Sequence, residues 1–425
     1  MKKYDVAVIG GGFAGFAAAV ASAREGAKTI LIEKSGALGG ALNLALIMPF
    51  MTNGTQIDGK YVRLSEGVFA DVCRETSALM REYEGIETDP NRFWNYNDEY
   101  LKAALNRIAL SSGVELLFHS YVTAANKDGE HIKSVTLAGR SGTFEIESDR
   151  FVDATGDANL AYLAGCPFRL GRDDGLCQPM TLCFRIAGVT EEARKRLWTN
   201  RDEVTKIWTG LQAEGKIRNP REDVMMFTTF VDGVVHVNST RVIKLNPTDP
   251  FDLTKAEIEA REQVLELFAF AKKYMPGFEN AQLLSTACEI GVRESRMIIG
   301  DYVLTADDLK ACTKFEDSIA FGNYDIDIHS PDGAGTSHYY FKPGEYYSIP
   351  YRSLIAKNTD NLLVAGRCIS TDHDAQASIR IMPIVCTLGE AAGTAAALSV
   401  RSNTDIRSID INTLRTRLHQ NGALC

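Results

Sequence analysis

The sequence predicts an α/β fold: a βαβ sheet domain assembled from both ends of the chain, with an α+β domain inserted between them. Three observations carry this. Near the start, an apolar strand at residues 6–9 runs straight into Gly10-x-Gly12-x-x-Gly15 and an Ala-rich helix at 16–23. Near the end, an apolar strand at 361–365 again runs into a glycine, Gly366, and a small-residue helix follows at 388–397. Between them, residues 165–350 mix strands and long helices without βαβ alternation. The expected division is 1–165 with 350–425 for the sheet domain and 166–349 for the insert.

Each element has a physical basis. Gly10 permits a tight turn, Gly12 lets backbone approach a pyrophosphate, and Gly15 lets helix and strand pack closely. The helix start offers free N–H groups and a positive dipole end to phosphate. Glu33 closes a second apolar strand, 29–32, and sits 18 residues after Gly15, where a carboxylate accepts ribose hydroxyl protons. Together these parts form a Rossmann-like dinucleotide-binding unit, with FAD and NAD both open. The initial Met1-Lys2-Lys3 followed by apolar residues imitates a signal peptide, but Asp5 and the strand-turn-helix pattern oppose that reading.

Gly39-Gly40-Ala41 allows a backbone to lie flat against a ligand. Residues 60–112 read as mostly helical. Four short strands, 114–118, 121–125, 132–138 and 143–146, then read as an antiparallel meander, and a further strand ends in Asp153-Ala154-Thr155-Gly156-Asp157. In the insert, Asp232-Gly233 between 226–231 and 234–239 marks a hairpin, and 254–274 has helical spacing closed by Pro276-Gly277.

Composition narrows the function. The chain has 425 residues, 45% hydrophobic and 24% charged, with a net charge of −9 that opposes non-specific nucleic-acid binding. The most apolar stretch, 383–400, is interrupted by Glu390, so no membrane span is expected. Nine scattered cysteines without a C-x-x-C pair suit a reducing compartment, hence a cytoplasmic location. The seven histidines show no metal-ligand spacing, and no metal is expected. The expected partner is a small-molecule substrate, with the electron acceptor and oligomeric state left open.

Several motifs in order along the chain resemble the FAD-dependent oxidoreductase family. They are the glycine fingerprint with Glu33-Lys34, Gly39-Gly40, Asp153-Ala154-Thr155-Gly156-Asp157 and Gln178-Pro179-Met180-Thr181. Further on come Arg293-Glu294-Ser295-Arg296, Asp325-Ile326-Asp327-Ile328-His329 and Ile349-Pro350-Tyr351-Arg352. Last are Gly366-Arg367-Cys368 and Ser378-Ile379-Arg380-Ile381-Met382-Pro383. The resemblance implies a glutathione-reductase-type FAD fold, similar to the flavin subunits of fumarate reductase and succinate dehydrogenase. FAD, rather than NAD, is implied by that resemblance.

Carried over, Gly10, Gly12, Phe13, Ala14, Gly15, Glu33 and Lys34 hold the ADP half. Gly39, Gly40 and Ala41 lie along the pyrophosphate and ribityl chain, Val122 presents its backbone to adenine, and Ala154, Thr155 and Gly156 pass the diphosphate. Gly366, Arg367, Pro383 and the helix start at Gly389 reach the ribityl and flavin end. Aromatic hydroxylases of this fold carry Gly-Asp where this chain has Gly366-Arg367, and there is no second strand-GxGxxG-helix for a nicotinamide domain.

The expected activity is that of an FAD-dependent dehydrogenase or oxidase, moving a hydride between a small organic substrate and flavin N5. The alternatives are a cofactor-binding module with structural FAD or NAD, or a flavoprotein passing electrons to quinone. His373, Arg380, Arg293 and His329 are the candidate catalytic residues, with Tyr347 and Arg352 as further substrate-side groups. Histidine moves protons near neutral pH, and arginines clamp carboxylates. Cys368 reads as a buried thiol or a flavin tether.

Overall fold

The computed structural model describes residues 2–91 and 95–425. The opening apolar run forms β1 (Lys2–Ile9), whose last four side chains are all buried, as in a strand covered on both faces. Helix α1 (Phe13–Arg24) and β2 (Thr29–Ile32) follow. Helices α2 (Val68–Glu84) and α3 (Asp98–Ser111) lead to β3 (Glu115–Leu117). Then come β4 (Tyr121–Asp128), β5 (His131–Gly139) and β6 (Gly142–Asp153). The middle of the chain supplies β7 (Phe184–Ala187), β8 (Met226–Thr228), β9 (Val235–Val237), α4 (Pro250–Tyr274) and β10 (Gln282–Thr286). A hairpin of β11 (Ile326–His329) and β12 (Thr336–Tyr339) precedes β13 (Leu362–Val364), α5 (His373–Ile379) and α6 (Met382–Ser402).

The main sheet runs β3-β2-β1-β6-β5-β4, with β13 also paired to β6. Strands β3, β2, β1, β6 and β13 are mutually parallel, whereas β4 and β5 join antiparallel. Pairing of Leu362 with Phe151 brings the late strand onto the sheet that β1 begins. Both ends of the chain therefore build one sheet.

Two details differ from the sequence reading. β3 is not part of the meander; it lies beside β2 at the opposite edge, because α3 returns the chain as a parallel crossover. The expected strand at 143–146 and the one ending at Asp153 are a single strand, β6. It stays extended through polar Glu147-Ser148-Asp149 because β1 pairs with it along that length.

Helix α6 lies against α1 through glycine. A Cβ on Gly389 would come 2.0 Å from Ala14 O, and one on Gly393 2.0 Å from Ala18 O. Bare backbone at these two positions, one helical turn apart, lets the axes approach closely. α6 is the one helix among the described residues long and apolar enough to cross a membrane, and it is buried in the core. A second core gathers side chains from Met180 to Ile290 with Leu46, around the sheet β8-β9-β7-β10 and α4. Side chains from Leu304 to Ile349 pack into the first core with α1 and α6. The second core therefore stops short of the boundary expected at 349.

Candidate functional site

The β1–α1 turn is closed to side chains on its inner side. Gly10 has φ +101°, and a Cβ there would lie 2.5 Å from Ala154 O; one on Gly15 would lie 1.7 Å from Gly10 O. Gly39 N–H donates to Gly11 O at 2.8 Å, and a Cβ on Gly40 would meet Gly12 Cα at 2.8 Å. Two bare backbone segments thus run side by side, ending at an α1 start that no side chain caps. Ala41 opens the short helix that follows the glycine pair.

Glu33 is buried beside this cradle, and its carboxylate is fixed from two sides. Gly11 N–H donates to Oε2 at 2.6 Å and Ser35 N–H to Oε1 at 2.8 Å. The remaining lone pairs are free to accept hydroxyl protons. Ser120 N–H donates to the main-chain Glu33 O, which sets the start of β4, with Val122 two residues on. The side chain of Val122 is buried.

Asp153 holds the next loop. Its Oδ1 accepts from Thr155 Oγ1 at 2.7 Å, and its Oδ2 from Ala161 N–H at 2.8 Å. Ala154 N–H donates to Ile9 O, which seats the loop beside the Gly10 turn. Gly156 (φ +79°) has no room for a Cβ because the Arg367 guanidinium lies on it, held by Asp157 at 2.6 Å. Gly366 (φ +104°) faces Ala14. The bare backbone, the open helix start and the anchored carboxylate fit the diphosphate and ribose of a dinucleotide.

Some expected contacts fall elsewhere. Phe13 turns its ring into an aromatic cluster with Phe50 and Phe69, so only its backbone is at the cradle. Lys34 is ion-paired with Glu289 at 2.8 Å. Gly389 is not at a helix start: α6 begins at Met382-Pro383, where the ring of Pro383 presets φ for a first turn, and Gly389 lies well inside, against α1. Burial pushes the Cys368 thiol up to about 12, which makes it a poor nucleophile. Tyr347 is buried against Ser378, and Arg352 forms a two-pronged pair with Asp317. Neither is free for a substrate.

The four candidate catalytic residues fall into two linked groups. In the first, the Arg380 guanidinium lies 3.4 Å and His329 Nε2 3.4 Å from the same oxygen of Asp327. Tyr324 hydroxyl donates to that oxygen as well. Burial disfavours the Asp327 charge, but His329 and the Arg380 and Arg293 charges hold its pKa well below the usual range. Burial and then Arg293 bring His329 down to about 3, so it is neutral at pH 7. Arg293 donates to Pro179 O at 2.7 Å and to Thr181 Oγ1. Among the described residues no carboxylate lies within 4 Å of its guanidinium. Burial, then the Arg380 and Arg221 charges, lower the Arg293 pKa to about 9, against the opposing pull of the Asp327 charge.

In the second group His373 opens α5 and its Nδ1 lies 2.7 Å from Glu294, which is wholly buried. Burial works to lower the His373 pKa, but the hydrogen bond and charge of Glu294 raise it overall. Glu294 also accepts Gln178 N–H at 2.9 Å. Gln178 and Gln376 side chains bond at 3.0 Å, and Gln376 donates to Arg293 O at 2.8 Å. This amide pair connects the two groups.

Sequence reading quoted Gln178, Glu294 and Asp327 within motifs but assigned them no catalytic or binding role, and it did not name Gln376. Asp327 was within reach, since alternation in Asp325-Ile326-Asp327-Ile328-His329 puts it on one strand face with Asp325 and His329. Ligand atoms of Asp325, Asp327 and His338 also converge within 4.8 Å, a grouping that no spacing in the sequence announces. His338 pairs with Asp325 there at 2.6 Å.

A profile of the FAD dependent oxidoreductase family matches residues 5–418. The chain is 31% identical to mitochondrial dihydrolipoyl dehydrogenase of Schizosaccharomyces pombe over 160 residues, 36% of this chain and 28% of that protein. It is 27% identical to digeranylgeranylglycerophospholipid reductase of Methanocaldococcus jannaschii over 167 residues, 38% of this chain and 40% of that one. The chain thus spans less than half the length of either relative. Among solved structures, it is similar to a geranylgeranyl bacteriochlorophyll reductase-like protein of Thermoplasma acidophilum, with 14% identity, TM-score 0.47, and 99% and 84% of the two chains covered. A flavoprotein/dehydrogenase of Cytophaga hutchinsonii gives 14% identity, TM-score 0.48, and 98% and 83% coverage. With nearly its whole length matched by the family profile, the chain belongs to the FAD dependent oxidoreductase family.

Proposed function

We propose that the enzyme moves a hydride between FAD and a small metabolite bearing a carboxylate, with Arg293 and Arg380 binding the carboxylate and His373 moving the proton. Bound FAD supplies the two-electron chemistry at N5. The glycine cradle and Glu33 would hold its diphosphate and ribose, and Gly366 and the Met382-Pro383 helix start its flavin end. The sheet of the second core would wall the substrate side.

The observation that carries the reading is Arg293. A partly buried cation is normally paired, yet this guanidinium contacts only a carbonyl and a hydroxyl among the described residues. An anionic substrate would complete it, and planar guanidinium groups bind carboxylates through two parallel hydrogen bonds. Arg380 adds a second cation, shared with Asp327. His373 has its Nδ1 fixed by Glu294, which leaves Nε2 to carry a proton to or from a substrate.

Arg293→Gln and Arg380→Gln test this. Both variants should keep FAD, read by visible absorbance. Anaerobic flavin bleaching by carboxylate metabolites should slow by about 30-fold or more, the loss expected when a buried charge loses its partner. Bleaching at the wild-type rate in both variants would refute the assignment.

A further inference from the structure

Helix α4 carries two apolar faces. One packs into the second core through Ala256, Ala260, Val264, Leu267 and Ala271. The other consists of Phe251, Ile258 and Leu265, which are 77%, 62% and 53% exposed. These three are seven residues apart, so they drift by only about 20° per step and form a line diametrically opposite the core face. The line runs about 21 Å along the helix. A helix on the surface of a globular protein ordinarily turns charge to this side. Single exposed apolar residues need no explanation, but three large ones in register on one helix do.

The charges along α4 identify what covers the line. The first half, residues 252–262, holds four carboxylates, on Asp252, Glu257, Glu259 and Glu262, against two cations. The second half, 263–274, holds one carboxylate against Lys272 and Lys273. An antiparallel partner helix with the same pattern sets acidic half on basic half twice over. It also opposes the two helix dipoles favourably. A parallel partner would set like on like. A second copy of this chain related by a twofold axis supplies that antiparallel helix, and a twofold contact closes on itself.

We propose that the outer face of α4 docks on the same face of a second copy, the two helices running antiparallel, with Ile258 and Leu265 of each copy in the seam. The contact is one helix wide, which puts it at the small end of specific interfaces and makes the dimer dissociable. It lies outside the FAD cradle and the Arg293 cluster, so dimerisation and turnover are separable.

Sedimentation of the FAD-loaded enzyme over a range of concentrations tests this. The wild type should show a monomer–dimer equilibrium. Ile258→Asp combined with Leu265→Asp should weaken association at least tenfold while FAD content and turnover stay unchanged. Lys272→Glu with Lys273→Glu should also weaken it, because the antiparallel seam sets these lysines against the acidic start of the partner helix, at Asp249 and Asp252. A wild type that stays monomeric at its highest concentration would overturn the proposal. So would a dimer that survives the Ile258 and Leu265 changes. Association unchanged by the Lys272 and Lys273 changes would overturn the antiparallel arrangement.

Discussion

Glu390 lies within α6 and accepts the Val68 N–H at the start of α2, at 3.0 Å. Burial raises its pKa, against that hydrogen bond, to about 8. A carboxyl with a folded value above its unfolded one favours the fold in its neutral form. Stability from this group is therefore greatest below about pH 4.5 and declines as pH rises towards 8. Glu390→Gln should flatten that decline and raise stability at pH 8 by on the order of 2 kcal/mol, read as urea midpoints across pH. His373 behaves in the opposite sense. Its folded pKa is raised through Glu294, so its contribution is complete below the ordinary histidine value of about 6.5 and fades as pH climbs through the folded value. His373→Asn should cost stability at pH 5.5, and the gap to wild type should close towards alkaline pH. Equal gaps at both ends of the range would contradict the Glu294 pairing. The placing of the glycines and of Glu33 together was legible from sequence because each occupies a fixed place in one short motif. Glu294 was not, since its partners Gln178 and His373 are remote in the chain.

At the scale of elements, the contact of α6 with α1 depends on Gly389. Gly389→Ala places a methyl group 2.0 Å from Ala14 O, so the helices must part. The variant should lose about 2–4 kcal/mol of stability and weaken FAD binding, since α1 carries the cradle. Wild-type thermal stability in this variant would refute the close packing. Helix α4 begins earlier than its periodicity suggests because Asp249 caps Phe251 and Asp252 N–H and Pro250 presets the first turn. Asp249→Ala should cost about 1 kcal/mol. Periodicity located the long helices and the Asp232-Gly233 hairpin well. It misplaced β3, since a short apolar run reads the same whether its neighbour is parallel or antiparallel, and only the α3 crossover decides.

For the whole molecule, return of the chain to its first sheet was legible because strand-then-glycine recurs at both ends. The reach of the second core was not, because the apolar segments from Leu304 to Ile349 carry no sign of which core they join. The same return brings Arg380 on the late segment beside Asp327 on the middle one, and this convergence is what the proposed activity depends on. Anaerobic titration of the FAD-loaded enzyme with a carboxylate metabolite panel, run on wild type and Arg293→Gln, tests it most directly. The account predicts that at least one carboxylate bleaches the wild-type flavin, and that the variant, with its flavin retained, responds far more slowly. A variant that bleaches at the wild-type rate, or a flavin reduced only by uncharged compounds, would contradict it.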